Sequence, residues 1–323
     1  MDLRRAHRTH GPAAYAAHLA AAPRVRGLPG YLLYRALSGL FGLLPAPAMR
    51  GGGRWIGFWL SFVARKRMRL LRRHMRRVMG PAPSEDQITA AGREMFASYG
   101  RYWAEVFWFR PRRKGWVIRN AHATGLDAVY AAQQAGRGVV LVAPHMGNWE
   151  VAGAVAESLN LRVLSVAEDL PNRRITDWFI QTRAAFGIDI LVHGRGSTMT
   201  ALTKALERGQ VVALVADRDV NGRGVPVEFF GEMTTMPAGP YSLVELTGAA
   251  LFPVGSYYDG PGYLFEVHPE LPLPNADDRA ERIRLGTQAL AYEFEDIIRA
   301  QPTSWHLFQP NWPSDIPAEE ESE

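Results

Sequence analysis

The chain has 323 residues, with 37 Lys and Arg against 32 Asp and Glu; it is 47% apolar and contains no cysteine. The missing thiols exclude a cysteine nucleophile, a thiolate metal centre and a disulfide framework, while the length suits one large α/β domain or two modest ones. The charge is uneven: between Leu3 and Ser84 there are sixteen Arg or Lys and no acidic residue, so residues 1–84 carry +15 and the remainder −10.

That basic front end is also apolar. Gly30-Tyr31-Leu32-Leu33-Tyr34 runs through Leu40–Leu44, broken by Arg35, and is followed by Trp55–Val63. Neither stretch reaches the eighteen or so uninterrupted residues of a spanning helix. Behind them lies Arg65–Arg77, with eight basic residues. Aromatic anchors at Trp55, Phe58 and Trp59, beside Arg65, Lys66, Arg67, Arg72 and Arg73, predict helices lying on an anionic membrane surface. A solvated basic helix packed on the body and a nucleic-acid patch share the same composition. Residues 1–84 are therefore read as a membrane-associating helical region, 85–315 as an α/β domain and 316–323 as an acidic, frayed tail.

Ser84 caps a helix over 85–110, with Ile88, Ala91, Met95, Tyr99 and Trp103 at three- and four-residue spacing, and Pro111–Gly115 ends it. Beyond it, strands and helices alternate. A helix at Leu126–Gln134 leads into the buried strand Gly138–Ala143. A helix from Trp149 to Leu159 precedes a strand at Leu161–Val166. A helix at Ile175–Phe186 and a strand at Ile188–Val192 follow, then a helix at Met199–Arg208 and the strand Val211–Val215. Pro237–Gly248 reads as a helix, Ala250–Tyr257 and Tyr263–Val267 as strands, and Glu281–Arg299 as the last helix. The pattern predicts an α/β fold whose central, mostly parallel sheet is flanked by helices.

His145 stands just past the strand Gly138–Ala143, where Pro144 ends it, and Asn148 is placed to cap the next helix. Five positions along one helix turn by roughly 140°, so His145 and Glu150 share no face of a helix. They meet only if His145 lies on the turn and Glu150 reaches back. The histidine would then be a general base oriented by a carboxylate. A capped turn whose His and Glu satisfy only local backbone has the same pattern.

Asp217-Arg218-Asp219 also follows a core strand, so its carboxylates could converge on His145, bind a polar substrate group or simply form a surface turn. Val227–Glu232, including Glu228, with Met236–Pro240, reads as a constrained loop opening a helix that faces an anion. His193–Ser197 resembles a phosphate loop without its full spacing, and Arg183 is a bidentate phosphate candidate. No Gly-x-Ser-x-Gly elbow or His-Glu-x-x-His helix is present, and no second histidine stands at metal-ligand spacing.

The string His145-Met146-Gly147-Asn148-Trp149-Glu150 resembles the His-x4-Asp/Glu signature of bacterial glycerolipid and lipid A-type acyltransferases. The likeness extends in order to Ser98–Glu105, Asp217–Asp219, Phe229–Gly231, Met236–Pro240 and Trp305–Gln309, covering roughly residues 30–313. Within that superfamily it is most similar to actinobacterial phosphatidylinositol mannoside acyltransferases, which more often carry Asp where Glu150 stands. The resemblance implies a peripheral enzyme on the cytoplasmic face of the plasma membrane. Such an enzyme moves a palmitoyl-like chain from acyl-CoA or acyl carrier protein to a glycolipid hydroxyl, with no metal and no cofactor besides the acyl-CoA co-substrate. His145 would take the hydroxyl proton and Glu150, with Asp219 or Asp217, would orient it. Arg183 and backbone N–H groups near Trp149 would offset the oxyanion, and the helices at Trp149 and Phe179 would line an acyl tunnel. A non-enzymatic membrane or nucleic-acid binder, and a thioesterase, are the rival readings; the first leaves His145 and Glu150 unexplained, and nucleic acid is not the expected partner.

Overall fold

The computed structural model describes residues 27–167, 170, 172–192, 197–220 and 222–316. The candidate phosphate loop at 193–196 and the acidic tail from 317 lie outside the described residues; Ser197 caps the helix that follows it. Four helices come first: α1 (Gly27–Leu43), α2 (Ala46–Val63), α3 (Arg65–Met79) and α4 (Glu85–Trp108). Ser84 and Gln87 form a full capping box at the start of α4. A short helix, α5 (Lys114–Arg119), leads into the sheet, which strand β1 (Ala121–Thr124) opens.

The remaining elements alternate. They are α6 (Leu126–Gln134), β2 (Val139–Ala143), α7 (Ala152–Ser158), β3 (Val163–Ala167), α8 (Arg173–Ala184), β4 (Ile188–Val192), α9 (Thr198–Glu207) and β5 (Val211–Val215). A hairpin, β6 (Val225–Phe229) and β7 (Glu232–Met236), precedes α10 (Gly239–Thr247), β8 (Ala250–Asp259), β9 (Gly262–Val267) and α11 (Arg279–Ala300). The seven-stranded sheet runs β1-β9-β8-β2-β5-β3-β4, and every pair is parallel except β8 with β9. Helices on both faces explain why Val139, Val140 and Val142 in β2 are fully buried. The fold is therefore the α/β arrangement the alternation predicted.

Two readings change. The segment 227–232 is not a loop opening a helix: β6 and β7 form a two-stranded antiparallel hairpin outside the main sheet. Phe230 (φ +51°) and Gly231 (φ +74°) make its two-residue turn, a conformation that needs positive φ at both positions. The strand β1, at the sheet edge, was not anticipated.

The core does not divide at residue 84. Leu71, Met75 and Val78 of α3 join Val140, Val142 and Trp305 in one apolar cluster. Helix α2 packs on α4 through glycines: a Cβ on Gly57 would lie 2.1 Å from the Phe96 carbonyl oxygen, and one on Gly100 would lie 2.2 Å from the Gly53 carbonyl oxygen. With Met49, Gly53, Gly57 and Ser61 turned inward, Trp55, Phe58, Trp59 and Phe62 face outward. Among the described residues no helix is long and apolar enough to cross a membrane.

The arginines of α3 split into two groups. Arg65 and Lys66 are exposed, and no ion pair to either is found among the described residues. Arg67, Arg72 and Arg73, expected at a membrane, have partners within the molecule, although Arg67 and Arg73 stay exposed. Arg67 donates to the Phe308 carbonyl, Arg73 to the carbonyls of Ser314 and Asp315, and Arg72 pairs with Glu85. The carbonyl-rich C-terminal segment and Glu85 lie within reach of that face of α3, which is why these cations are engaged there.

Candidate active site

Strands β2 and β5 pair in parallel with Ala143 opposite Val215. Two residues further along each chain, His145 and Asp217 come level. His145 Nδ1 lies 2.5 Å from Asp217 Oδ1, and Asp217 is completely buried. The other carboxylate oxygen, Oδ2, accepts from Trp305 Nε1 at 2.7 Å. A carboxylate accepts only, so Nδ1 carries the proton and Nε2 is left as the basic nitrogen. Among the described residues Nε2 has no hydrogen-bond partner, and the His145 side chain keeps 23% of its surface exposed. Burial pushes the Asp217 carboxyl up, but the His145 ring and the hydrogen bonds from His145 and Trp305 outweigh it and hold it below the usual range.

Glu150 does not orient His145. It sits in the middle of a 3-10 turn at Trp149–Val151 that leads into α7, and its carboxylate faces α8 and α4. There Arg183 clamps it with two bonds, Nε at 2.7 Å and Nη2 at 2.6 Å, and Tyr102 donates at 3.2 Å. Burial pushes Glu150 up, yet Arg183 brings it below its ordinary value, and the Arg183 guanidinium is correspondingly pushed up despite its own burial. An ion pair this well matched leaves the carboxylate no reason to turn back to the histidine.

The loop between β2 and α7 is held from three sides. Gly147 adopts φ +58°, and a Cβ there would lie 2.2 Å from the Ser256 carbonyl oxygen, so only glycine fits. Its N–H donates to Ser304 O, and His306 N–H donates to His145 O at 2.7 Å. Asn148 is fully buried; its Oδ1 caps the turn by accepting from Glu150 N, and its Nδ2 donates to Glu105 at 2.6 Å. Arg101 holds Glu105 at 2.8 Å. His306 accepts from or donates to Ser98 Oγ through Nε2, and burial, with the neighbouring His145 charge, pushes it down to about 3.

The other expected residues fall as follows. Asp219 does not share in orienting His145: its Oδ2 accepts from Gly224 N and Thr235 Oγ1, fixing the return into the hairpin. Arg218 and Asp219 both line the cavity described below. Glu228 is exposed on β6, its backbone bonded to Gln288, and it is outside the cavity wall. Sequence spacing missed Tyr102, Arg101, Glu105, Trp305 and His306. All five sit in the blocks Ser98–Glu105 and Trp305–Gln309, but only the fold shows that these blocks meet the loop at 145–150.

His145, Glu150 and Arg183 border a cavity of about 720 Å³. It extends over one face of the sheet, past Leu141, Ala213, Val163 and Ile190, and under Ala156 of α7 and Phe179 of α8. Leu141 and Ala213 share a sheet face with the fully buried Val139 and Val211, so the cavity opens beside a packed apolar cluster on that face. The expected lining by the Trp149 and Phe179 segments is present.

A parallel sheet with a buried carboxylate and a histidine at the mouth of an apolar slot has the form of an enzyme acting on a long apolar substrate. The family model of bacterial lipid A biosynthesis acyltransferases matches residues 22–314, and the chain belongs to that family: it is an acyltransferase. Among individual relatives, it is 35% identical over 296 residues to the phosphatidylinositol mannoside acyltransferase of Mycolicibacterium smegmatis, covering 89% of this chain and 90% of that one. It is 38% identical over 252 residues to the enzyme of the same name from Mycobacterium tuberculosis, covering 76% and 77%. The lipid A biosynthesis palmitoleoyltransferase of Escherichia coli is more distant, 28% identical over 235 residues, 71% of this chain and 74% of that one.

Proposed function

We propose that this acyltransferase moves a palmitoyl-like chain from acyl-CoA to a hydroxyl of a phosphatidylinositol mannoside, with His145 as general base. The observation that carries the mechanism is the His145–Asp217 pair at the mouth of the apolar cavity. Nε2 of His145 takes the proton from the acceptor hydroxyl as its oxygen attacks the thioester carbonyl. The tetrahedral intermediate then breaks its carbon–sulfur bond, an ester forms, and His145 returns the proton to the departing thiolate. Asp217 holds the ring in the required tautomer and stabilises the imidazolium. Arg183 and the backbone N–H groups near Trp149 oppose the charge on the oxyanion.

The cavity, with its volume within the usual range of small-molecule pockets, takes the acyl chain. The mannoside acceptor follows from the two mycobacterial relatives, which are more alike to this chain than the lipid A enzymes. The outward face of α2, with Trp55, Phe58 and Trp59 beside the exposed Arg65 and Lys66, supports peripheral membrane attachment, proposed here at the cytoplasmic face of the plasma membrane.

The decisive assay measures transfer from palmitoyl-CoA to a purified phosphatidylinositol mannoside. His145→Ala is expected to lower turnover by about 10² to 10⁴-fold, the range of positioned acid–base groups. Turnover close to wild type would end the general-base reading, and transfer only from acyl carrier protein would change the donor.

A further inference from the structure

Helix α1 ends on an arginine cluster that the catalytic reading leaves unused. Arg110 donates to the carbonyls of Phe107, Phe109 and Ser38. Arg113 donates to Trp108 O and Gly42 O, both at 2.7 Å, and stacks over the Trp108 ring at 3.9 Å. Arg112 reaches Gly42 O only at 3.5 Å, and Arg35 is exposed one side of the helix away. Among the described residues none of these four arginines pairs with a carboxylate, although Lys114, next in the chain, pairs with Glu157.

Capping the end of α1 accounts for part of this arrangement. A helix C-terminus offers only about half a negative charge, however, far less than four guanidiniums carry. The surplus is felt within the cluster. Burial, then Arg35 and Arg112, push the Arg110 guanidinium down, and burial, then Arg112 and Arg110, do the same to Arg113. Such a cluster becomes more favourable when an anion joins it.

The surroundings indicate which anion. Leu32 and Leu43, eleven residues apart, fall on one outward line of α1 because eleven residues make about three turns. They are 54% and 83% exposed, Leu40 beside them is 60% exposed, and Arg35 flanks the line. Exposed leucines bordered by unpaired guanidiniums match a surface where acyl chains end and phosphates begin.

We infer that Arg35 and Arg112, backed by Arg110 and Arg113, bind the phosphodiester of an anionic lipid headgroup while Leu32, Leu40 and Leu43 enter the acyl layer. This assignment rests on the membrane attachment proposed above and adds to it a particular phosphate site, away from His145.

The test uses the full chain and sedimentation with vesicles of phosphatidylcholine alone or with added phosphatidylinositol. Arg35→Gln/Arg112→Gln is compared with Arg162→Gln/Arg208→Gln, which removes the same charge at the amino ends of β3 and β5. At roughly fivefold per basic residue at an anionic surface, the first pair should weaken binding to the phosphatidylinositol vesicles on the order of 20-fold, and the second less than about twofold. Equal weakening by both pairs, or wild-type binding by the first, would overturn the site. So would inorganic phosphate that raises the melting temperature of the wild type alone while vesicle binding stays equal, because the site would then read free phosphate. If the first pair melts below the assay temperature, Arg112→Gln against Arg162→Gln decides by the same criteria, with about fivefold expected. Wild-type protein that binds no vesicle ends both this site and the membrane reading, whereas a silent Arg35/Arg112 pair beside intact vesicle binding ends this site alone.

Discussion

Asp217 and Glu150 are both buried carboxylates bordering one histidine-bearing loop, yet they do different work. Asp217 meets His145 directly; Glu150 meets Arg183 and Tyr102. Asp217→Asn is therefore expected to keep the fold, because an amide oxygen can still accept from Trp305, while kcat falls by about 10² to 10⁴-fold with KM little changed. Glu150→Gln should act in the opposite order. It leaves the Arg183 guanidinium without its carboxylate, costing about 3 kcal/mol of stability, and should reduce the folded yield before it reduces turnover per folded molecule. Thermal melts alongside kcat for both variants separate the two roles, and an Asp217→Asn enzyme with normal kcat would remove Asp217 from the mechanism. The position of His145 was legible because a buried strand, a proline and an Asn cap bracket it. Its partner was not, because Asp217 is 72 residues away and only the β2–β5 register brings it level. Local spacing favoured Glu150, but Arg183 on α8 competes for that carboxylate, and a helix-to-helix contact leaves no trace in spacing.

Helix α2 shows how one element carries two instructions. Its inner stripe is made of small residues because the α4 backbone lies against it; its outer stripe is aromatic and largely exposed, with Arg93 of α4 reaching over the Phe62 ring at its end. Gly57→Val should separate the helices and cost about 1–3 kcal/mol, seen as a clear fall in melting temperature. Trp59→Ala, half-exposed on the opposite side, should leave stability within about 0.5 kcal/mol but weaken vesicle binding. If both variants lose stability alike, the outer face is packed rather than presented. The outer face was readable from Trp55–Phe62, whereas the glycine contact was not, since glycines in a sequence do not say which backbone approaches them. The β6–β7 hairpin was hidden for a related reason: its turn puts a phenylalanine at positive φ, so the usual Asn-Gly or Asp-Gly signal is missing.

At the scale of the whole molecule, the segment 304–316 ties the basic front end to the catalytic loop. Trp305 holds Asp217 and His306 holds the His145 backbone, while ten residues on Asp315 is anchored to α3. Charge counting drew a boundary at residue 84, but the contacts run straight across it, because Arg67, Arg73 and Arg77 of α3 grip this segment. Asp315 lies at the centre of the grip: Oδ2 meets His74 Nε2 at 3.0 Å and accepts from the Asn311 N–H, and Oδ1 accepts from Arg77 at 2.9 Å. Burial pushes its carboxyl up, but His74, the Asn311 N–H and Arg77 together pull it well below the ordinary value. A carboxyl lowered by folding adds stability above its unfolded pKa of about 3.9 and loses it as the pH falls through the folded value. Asp315→Asn should therefore cost about 3 kcal/mol at neutral pH, where a buried partner is left unmatched. The stability curves of wild type and variant should draw together as the pH drops below about 4, because acid removes from the wild type what the substitution has already removed. Denaturant melts across that range measure the gap. A gap that stays constant with pH would show that Asp315 acts through shape alone and that its charge does not hold the C-terminal segment to α3.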